Sequence, residues 1–510
     1  MRHASKGVPL FYAATFSNCT WVKRIVPLKS ALAFPIRNSI LYLMRKTKII
    51  CTLGPATEKT EVLRQLIQKG SDVFRLNMSH ARHDWVRDII PRIRLLAQKA
   101  GRPVAILLDT QGPAIRTGDL KASLHLKPGD ILEFTVRGAK SKDRYSVDVN
   151  YGGFVDDVTV GDTILVDNGL IKLLVLEKGK NRVRCKILTR AILGSRRHIN
   201  LPGVHVNLPS LTSKDLADVS LGVEMGADFI GLSFVREKSD IEQLRKLLAR
   251  KKSKAQIVAK IEDQLAVRSI DKMIESADVI MVARGDLGIE CPMEDLPIIQ
   301  RRIVKNCLRL GKPVIVATQL LESMITNPLP TRAEVTDVAN AVFEQADALM
   351  LSGETTIGLY PVECVEVLRR VAMRTERSGG AGYAENALLE NIRQKMVASA
   401  VTLADSLQDS KLVVFTLQGR MARYASNLRP QRAPIFAFTP GEEVYRQLAL
   451  CWGTFPACID FAGGPDRTIS AAEKFLRKNK WATPGDRMVI VSDVRMGRSL
   501  IDSIQLRVVK

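Results

Sequence analysis

The sequence contains no apolar run long enough to form a membrane-spanning helix, which needs roughly 18 consecutive apolar residues. Its longest clean runs, such as residues 103–108, have only the length of a strand. Aromatic residues are also few, at 5% of the 510 residues, and no basic stripe is interleaved with them. We therefore expect a protein that does not span a membrane, and the composition argues against nucleic-acid binding.

Cysteine and histidine are sparse and scattered. The eight cysteines include no C-x-x-C pair, and the six histidines show no clustering at zinc-ligand spacing. A structural zinc site and a disulfide framework are therefore not expected. We expect instead buried thiols in a reducing compartment such as the cytoplasm. The motifs of P-loop proteins, dinucleotide-binding proteins and Ser-His-Asp hydrolases are also missing.

Acidic residues are too few to balance the basic ones, with 53 Asp and Glu against 76 Lys and Arg and a net charge of +23. Such an excess suits small anionic substrates or polyanions. Residues 1–43 hold six of the basic residues and no acid. This composition is typical of an organellar transit peptide, but the segment could equally be an over-extended reading frame before Met44, so cytoplasmic and organellar locations both stay open.

From Arg45 onward, short apolar segments alternate with amphipathic ones, a pattern that predicts repeated βα units and a parallel sheet. Three helix-like stretches end at Gly70, Gly226 and Gly311, where glycine can adopt the left-handed capping conformation. Eight such repeats predict an α/β fold of the (β/α)8 TIM barrel type, whose typical length is about 250 residues. The eight predicted strands are 46–51, 72–77, 103–109, 228–234, 257–261, 278–284, 313–318 and 347–352.

The rest of the chain follows different patterns. Between predicted strands three and four, turn signals separate short strands, which indicates a small all-β lid domain inserted at the barrel mouth. After a glycine-rich stretch near residue 380, strands and helices alternate again, as in an open α/β domain for regulation or oligomerisation. We expect an N-terminal extension at 1–43, barrel segments at 44–115 and 201–375, the lid domain at 116–200 and the C-terminal domain at 376–510.

Active sites of such barrels lie at the C-terminal ends of the strands, so polar residues there are candidates. Glu262 follows Lys260 by two residues on predicted strand five, and Asp286 follows Arg284 on predicted strand six. Two carboxylates at one rim suit Mg²⁺ or Mn²⁺, which take further ligands from water and substrate. The alternative is that each carboxylate simply pairs with its neighbouring cation. Lys260 could stabilise a developing oxyanion or act as a Schiff-base nucleophile, and the nearby Glu262 favours the first role.

A second group of polar residues follows predicted strands two and three. Its oxygen-bearing members are Asn77, Ser79, Asp109 and Thr110. They could bind a monovalent cation or form a hydrogen-bonded network at the strand ends. The cationic residues suited to phosphate groups are Arg75, Arg116 and Lys214, with a solvated basic surface as the alternative.

Several segments closely resemble the pyruvate kinases. They run in order along the chain, with the inserted domain where the family has it. The matching segments are 47–57 (TKIICTLGPAT), 74–80 (FRLNMSH), 108–118, 200–203 (NLPG), 259–263 (AKIED), 281–290 (MVARGDLGIE), 317–324, 330–341 and 350–355. The resemblance implies a phosphotransferase that moves the phosphoryl group of phosphoenolpyruvate to ADP, giving pyruvate and ATP in the last step of glycolysis.

The resemblance also implies catalytic roles. Arg75 would contact the substrate phosphate, Lys260 would stabilise the transferring group and the enolate, and Thr318 would lie near the protonation path. The residues that would bind phosphoenolpyruvate are Arg75, Lys260, Gly285, Asp286 and Thr318. This division of labour fits phosphoryl transfer, in which positioning and charge neutralisation dominate.

Cofactors and partners follow from the same resemblance. The divalent metal would bind Glu262 and Asp286, as Mg²⁺ or Mn²⁺. The residues that would bind K⁺ are Asn77, Ser79, Asp109 and Thr110. The residues that would serve the nucleotide are Asn77, His80, Arg116 and Lys214. The lid domain would close over ADP, and four copies of the chain would form a homotetramer.

Two departures from the family pattern bear on K⁺ and on effectors. Gln111 and Ala114 replace a lysine and a glutamate; relatives with glutamate at the second position depend on K⁺ and those with lysine do not, so alanine leaves the need for K⁺ open. The loop 416–421 (TLQGRM) lacks two hydroxyls of the loop that binds a sugar phosphate in regulated relatives. The candidates for binding another phosphorylated effector are Arg420, Arg423 and Arg495.

Two other functions fit parts of the sequence. A metal-dependent barrel lyase or aldolase acting on phosphoenolpyruvate or pyruvate would use Lys260 as a Schiff-base nucleophile. A non-catalytic basic protein would use the net charge of +23 to bind nucleic acid. The number and order of the matching segments favour the kinase.

Overall fold

The computed structural model describes residues 44–461, 463–496 and 499–510. Residues 1–43, for which a transit peptide or an over-extended start is predicted, lie outside these ranges, so neither alternative is tested. No helix in the described part of the chain combines the length and the apolar composition that crossing a membrane requires.

The first described part of the chain supplies three parallel strands and two helices, in agreement with the predicted βα repeats. These elements are β1 Lys48–Thr52, α1 Thr60–Lys69, β2 Val73–Asn77, α2 His83–Ala100 and β3 Ala105–Asp109. Helix α1 buries Leu63, Leu66 and Ile67, which the three- and four-residue spacing places on one face. It ends where Gly70 adopts the left-handed conformation, with φ of 119°.

A β-rich segment follows β3, where the lid domain is predicted. Its elements are β4 Leu124–Leu126, β5 Ile131–Thr135, β6 Ser146–Asp148, α3 Phe154–Asp157, β7 Thr163–Val166, β8 Ile171–Lys178, β9 Arg182–Ile187, β10 Ala191–Leu193 and β11 Ile199–Asn200. Six strands form one sheet in the order β11-β7-β8-β9-β5-β6, and β10 pairs with β4. One short helix, α3, interrupts the strands because Gly153 leads into a helical turn rather than a hairpin.

The chain then returns to alternating helices and strands. These elements are α4 Ser213–Glu224, β12 Phe229–Leu232, α5 Lys238–Arg250, β13 Gln256–Ile261, α6 Gln264–Arg268, α7 Ile270–Ser276, β14 Val279–Ala283, α8 Arg284–Glu290, α9 Leu296–Leu310, β15 Val314–Ala317, α10 Arg332–Phe343, β16 Ala348–Leu351, α11 Gly353–Thr356 and α12 Pro361–Glu376. Eight parallel strands close in the order β1-β16-β15-β14-β13-β12-β3-β2. The predicted (β/α)8 barrel is therefore confirmed.

Side chains alternate between the inside and the outside of the barrel along each strand. The interior holds an apolar cluster that includes Val73, Leu107, Val258 and Met281, and the outward-facing side chains pack against the helices. Leu450, from the C-terminal part of the chain, joins this interior cluster. The C-terminal part therefore covers one end of the barrel and leaves the other end for the site.

The C-terminal segment folds into an α/β unit, as predicted. Its elements are α13 Ile392–Ser406, β17 Ser410–Phe415, α14 Arg420–Asn427, β18 Ile435–Thr439, α15 Glu442–Gln447, β19 Thr454–Cys458, α16 Pro465–Lys478, β20 Arg487–Met496 and β21 Ser499–Val508. The sheet order is β19-β18-β17-β20-β21, and β21 runs antiparallel to β20. Strands β19 and β21 lie at the two edges and escape sequence prediction, because Pro456 interrupts β19 and polar residues punctuate β21.

The cysteines follow the prediction with one clear exception. Those in the described ranges are all free thiols, and five of the seven are buried. Cys458, at the end of edge strand β19, is exposed. The expectation that the thiols are buried is therefore wrong at this position, because an edge strand leaves one side of its last residue open.

A buried ion pair joins the C-terminal unit to the barrel. Nη2 of Arg429 lies 2.7 Å from Oδ2 of Asp347, and both side chains are 2% exposed. The same carboxylate accepts the amides of Val314, at 3.0 Å, and Trp452, at 3.2 Å. Asp347 thus connects two barrel strands to the C-terminal unit.

We expect Arg429→Met to lower the midpoint of urea unfolding, by the equivalent of about 3–5 kcal/mol, because it leaves the Asp347 carboxylate buried without its cation. Arg64→Met is the matched control, since Arg64 pairs with Glu61 at the exposed surface of α1 and its loss should change little. Equal midpoints for the two variants would contradict the role given to the buried pair.

Candidate active site

Three charged side chains meet inside the barrel. Every second residue of their strands faces the interior, and the charged residues are the next inward-facing ones after the apolar cluster. Along β13, Val258 belongs to the interior cluster, Ala259 packs outward, and Lys260 faces inward again. Arg75 on β2 and Asp109 at the end of β3 occupy the corresponding inward positions. The site is thus the polar layer that follows the apolar one.

These side chains form one buried ionic network. Nζ of Lys260 lies 2.9 Å from Oε1 of Glu262, 3.3 Å from Oδ2 of Asp109 and 2.8 Å from the hydroxyl of Ser233. Nη2 of Arg75 lies 2.6 Å from the same Asp109 oxygen. None of the four charged side chains is more than 10% exposed. The network therefore operates with little screening by water.

Mutual attraction keeps Lys260 and Asp109 charged. Burial lowers the pKa of Lys260, but Asp109 and Glu262 outweigh burial and hold that pKa above its ordinary value. Burial raises the pKa of Asp109, but Lys260 and Arg75 outweigh it and hold the pKa below its ordinary value. Burial raises the pKa of Glu262, and the like charge of Asp286 adds to this effect. A cation between Glu262 and Asp286 would relieve that repulsion.

The structure corrects the predicted end of strand six. The prediction extends the strand to Arg284, but β14 ends at Ala283 and Arg284 begins helix α8. Arg284 pairs with Asp337, at 2.7 Å, and donates to the carbonyl of Thr318, at 2.6 Å. The expectation that Arg284 and Asp286 share a strand face is therefore wrong, because both residues belong to helix α8.

Glu262 and Asp286 are the oxygen ligands available for a divalent metal. Glu262 does pair with Lys260, as the alternative expected, whereas Asp286 is half-buried and acts electrostatically on both. No group of three or more His, Cys, Asp and Glu side chains suited to a metal occurs within the described ranges. Two carboxylates fit Mg²⁺ or Mn²⁺, which complete their coordination with water and substrate oxygens.

Gly285 and Thr318 lie side by side at the rim. The amide of Gly285 donates to the hydroxyl of Thr318, at 2.8 Å, and that hydroxyl donates to the carbonyl of Ala317, at 2.6 Å. Thr318 has φ of 67°, a conformation that is costly for a β-branched residue and is found mainly at functional sites. These two residues, which the resemblance assigns to phosphoenolpyruvate binding, are therefore close together.

The predicted K⁺ ligands are brought together in part. Asn77 and Asp109 are register partners on β2 and β3. Oδ1 of Asp109 is buried with no hydrogen-bond partner among the described residues. The hydroxyl of Thr110 donates to the carbonyl of Gly231, at 2.9 Å, and Ser79 lies beyond the end of β2, in an exposed turn. The unpaired Asp109 oxygen is the group that a bound cation would satisfy.

The predicted nucleotide residues are spread around the same end of the barrel. Arg116 is exposed at the start of the β-rich segment and forms a β-bridge with His198. Nζ of Lys214, on the first turn of α4, lies 2.6 Å from both the carbonyl of Met78 and Oδ2 of Asp218. His80 is exposed in the turn after β2. Lys214 is thus engaged at the end of β2 rather than free in solvent.

Ser233 contacts the ionic network but escapes sequence prediction. Its hydroxyl accepts from Lys260 and donates to the carbonyl of Thr110, at 2.6 Å, so it links two predicted site residues. Ser233 directly follows β12. The rule that polar residues at strand ends are candidates would have identified it, had the predicted strand not extended to Phe234.

His198 is the second residue that sequence reasoning missed. Its ring centroid lies 6.0 Å from that of Phe234, whose amide donates to Glu262. Burial and the neighbouring Arg116 lower the pKa of His198 to about 4, so its imidazole is neutral at pH 7. No sequence signal marks His198, because only the folded chain brings it beside Phe234.

Comparison with known proteins decides the family. Residues 44–365 match the family model described as pyruvate kinase, barrel domain, and residues 394–505 match the one described as pyruvate kinase, alpha/beta domain. The chain belongs to the pyruvate kinase family. Among curated relatives, the pyruvate kinase of Geobacillus stearothermophilus is 42% identical, over 89% of this chain and 78% of the relative.

Other pyruvate kinases agree. Plastidial pyruvate kinase 2 of Arabidopsis thaliana is 40% identical, over 88% of this chain and 78% of the relative. A crystal structure of a pyruvate kinase from Cryptosporidium parvum superimposes with a TM-score of 0.88 at 33% identity, covering 92% of this chain and 97% of that one. The fold is thus that of a pyruvate kinase.

The chain is accordingly a phosphotransferase that converts phosphoenolpyruvate and ADP to pyruvate and ATP in the last step of glycolysis. Enzymes of this family need a divalent metal ion, and those with glutamate at the position of Ala114 need K⁺ as well. Family membership decides against the lyase or aldolase and against the non-catalytic nucleic-acid-binding protein. The buried pairing of Lys260 with Glu262 agrees, since a Schiff-base lysine must lose its proton and these carboxylates hold the proton in place.

We expect Gly231→Ala to lower kcat by about 10²-fold, because a misplacement near 1 Å at a catalytic centre has an effect of that size. A Cβ at position 231 would lie 2.6 Å from Oδ1 of Asp109, so the carboxylate that holds Arg75 and Lys260 has to move. Gly179→Ala is the control, since its Cβ would meet nothing within 4 Å. The measurement is the steady-state rate of pyruvate formation. Equal rates for both variants and the unaltered enzyme would contradict the expected loss in Gly231→Ala.

Proposed function

We propose that Lys260, Arg75 and Thr318 carry the phosphoryl transfer. The observation that supports this is the buried Lys260 ammonium, within 3.3 Å of both Asp109 and Glu262. In the reaction, an oxygen of the ADP β-phosphate attacks phosphorus, the bond from phosphorus to the enol oxygen breaks, and the enolate takes a proton. Lys260 stabilises negative charge on the transferring group and on the enolate, and it needs no rearrangement to do so.

In this proposal the substrate is held by Arg75 and by the residues around the start of α8. Arg75 contacts the phosphate of phosphoenolpyruvate while Asp109 fixes the guanidinium. The amide of Gly285 and the hydroxyl of Thr318 orient the substrate carboxylate, beside Asp286. Thr318 also lies on the path by which the enolate is protonated.

Glu262 and Asp286 hold the divalent metal. Mg²⁺ or Mn²⁺ bound there supplies positive charge that neutralises the substrate carboxylate and the migrating phosphate. The two carboxylates provide hard oxygen ligands on neighbouring elements. Burial raises the pKa of Glu262, and the like charge of Asp286, which adds to this effect, favours a cation between them. Their donor chemistry therefore fits the group.

The nucleotide and K⁺ occupy the side of β2 and β3. The proposed nucleotide contacts are Asn77, His80, Arg116 and Lys214, and the proposed K⁺ ligands are Asn77, Ser79, Asp109 and Thr110. The unpaired, buried Oδ1 of Asp109 supports a cation at this place. The lid domain closes over ADP and excludes water from the transfer.

The proposed division into domains is 44–115 and 201–375 for the barrel, 116–200 for the lid and 376–510 for regulation and oligomerisation.

We place four chains in a homotetramer. Large apolar side chains exposed near α9 and α10, such as Met293, Ile298 and Phe343, support this assembly. A phosphorylated effector binds Arg420 and Arg423 on α14; the side chain of Arg495 lies outside the described part. The enzyme is cytoplasmic, with an organelle as the alternative that N-terminal sequencing of the native protein distinguishes.

We expect Lys260→Met to lower kcat by about 10²–10³-fold or more, because it removes the donor that faces the developing negative charge. The measurement is pyruvate formation in a coupled assay, with the midpoint of thermal unfolding recorded alongside. Lys121→Met, on the exposed surface of the lid domain, is the control. Turnover of the Lys260 variant near that of the control would contradict the role of Lys260.

We also expect activity to fall when K⁺ is replaced by tetramethylammonium at equal ionic strength, because a large organic cation cannot enter beside Asp109 Oδ1. Ala114 carries no charge that could substitute for the monovalent cation. Equal rates in the two salts would contradict the proposed K⁺ site and leave the divalent site unaffected.

A further inference from the structure

The lid domain touches the helix that carries Asp286. Nδ2 of Asn200, the last residue of β11, donates to Oε1 of Glu290 at 3.0 Å. In the turn between β7 and β8, a Cβ on Gly169 would lie 3.6 Å from Cγ2 of Ile289, an ordinary van der Waals distance. The last residue of α8 is therefore held by a hydrogen bond from the lid domain, and the turn at Gly169 lies close to the residue before it.

Helix α8 connects these contacts to the metal and substrate groups. It runs from Arg284 to Glu290, a length of about 10 Å at 1.5 Å per residue. Asp286 and Glu290 are four residues apart, so they lie on one face, a single turn from each other. A shift of Glu290 along the helix axis therefore moves Asp286 and the amide of Gly285 with it.

Gln264 connects Glu290 to Glu262, the other proposed metal ligand. Its amide donates to the carbonyl of Glu290, and it lies two residues after Glu262, at the start of α6. A Cβ on Gly203, in the segment that leaves the lid domain, would lie 3.7 Å from Oε1 of Gln264. Glu290 is thus the junction of the lid domain, the Glu262 strand end and the Asp286 helix.

The hydrogen bond between Asn200 and Glu290 is partly buried, so losing it would leave polar groups without a partner. Asn200 is 5% exposed, and its Oδ1 has no hydrogen-bond partner within the described ranges. Burial raises the pKa of Glu290 to about 7, with Asp263 and Asp286 adding to the effect. A buried side chain with one of its two polar groups already unpaired depends strongly on the remaining hydrogen bond.

We propose that Asn200 and Glu290 are positioning residues that couple the lid domain to Asp286. When the lid domain closes over the metal-bound nucleotide, this hydrogen bond fixes α8 and holds Asp286 in place for the transfer. The inference rests on the proposed roles of Asp286 and the lid domain. It adds two residues that touch neither substrate nor metal.

The test is a reciprocal exchange of the two side chains. Asn200→Asp places a carboxylate against Glu290 and should raise KM for Mg-ADP at pH 8 five- to tenfold, with a smaller effect on KM for phosphoenolpyruvate. Glu290→Gln keeps an acceptor for Asn200 and should change KM less than twofold. Combining both restores one donor and one acceptor, so KM should return to within twofold of the unaltered enzyme. Glu294→Ala, exposed just beyond α8, is the control.

Hydrogen exchange gives a readout that does not depend on turnover. Mg-ADP should protect the peptide spanning residues 284–290 in the unaltered enzyme and in the combined variant, and should fail to protect it in Asn200→Asp. Equal protection in all variants, or a combined variant no better than Asn200→Asp, would overturn the coupling. If the unaltered enzyme formed no pyruvate, the proposed function itself would fail; if it is active and Asn200→Asp behaves as Glu294→Ala does, only the coupling fails.

Discussion

The site depends on a buried ammonium group held between carboxylates from different strands. Lys260 lies in the layer directly above an apolar interior, where an unpaired charge would be severely destabilising. Ion pairs with Asp109 and Glu262 offset the desolvation cost of the Lys260 charge, and the ion pair with Asp109 does so for Arg75. Because Arg75, Asp109 and Lys260 come from strands β2, β3 and β13, the network forms only when these strands have come together in the sheet, which ties catalytic competence to the fold.

The same arrangement explains why the site can bind anions and cations side by side. Lys260 and Arg75 present positive charge to a phosphate, and Glu262 with Asp286 presents negative charge to a divalent metal. In water these groups would be screened, whereas inside the rim they interact at short range in a medium of low polarity. The overall net charge of +23 thus adds a general attraction for anionic substrates, while the local alternation of charge determines where each group binds.

Sequence reasoning predicted most of the fold and placed several polar side chains at one rim because both follow from strand periodicity, whereas the roles of those side chains came from the family resemblance. Alternation along a strand places Arg75 two residues after Val73 and Lys260 two residues after Val258, so strand positions were sufficient. The same rule was wrong at Arg284, where a helix starts immediately after β14. His198 could not be predicted, since only the closed fold brings a lid residue beside Phe234 and Arg116. The Asn200–Glu290 bond likewise joins residues 90 positions apart in the chain.

An anomalous-difference map from crystals grown with Mn²⁺ and phosphoenolpyruvate would test the proposed site most directly. We expect the metal peak between the carboxylates of Glu262 and Asp286, with the amino group of Lys260 hydrogen-bonded to the substrate phosphate. A metal peak away from these two carboxylates, or a phosphate bound out of reach of Lys260, would contradict the proposed mechanism.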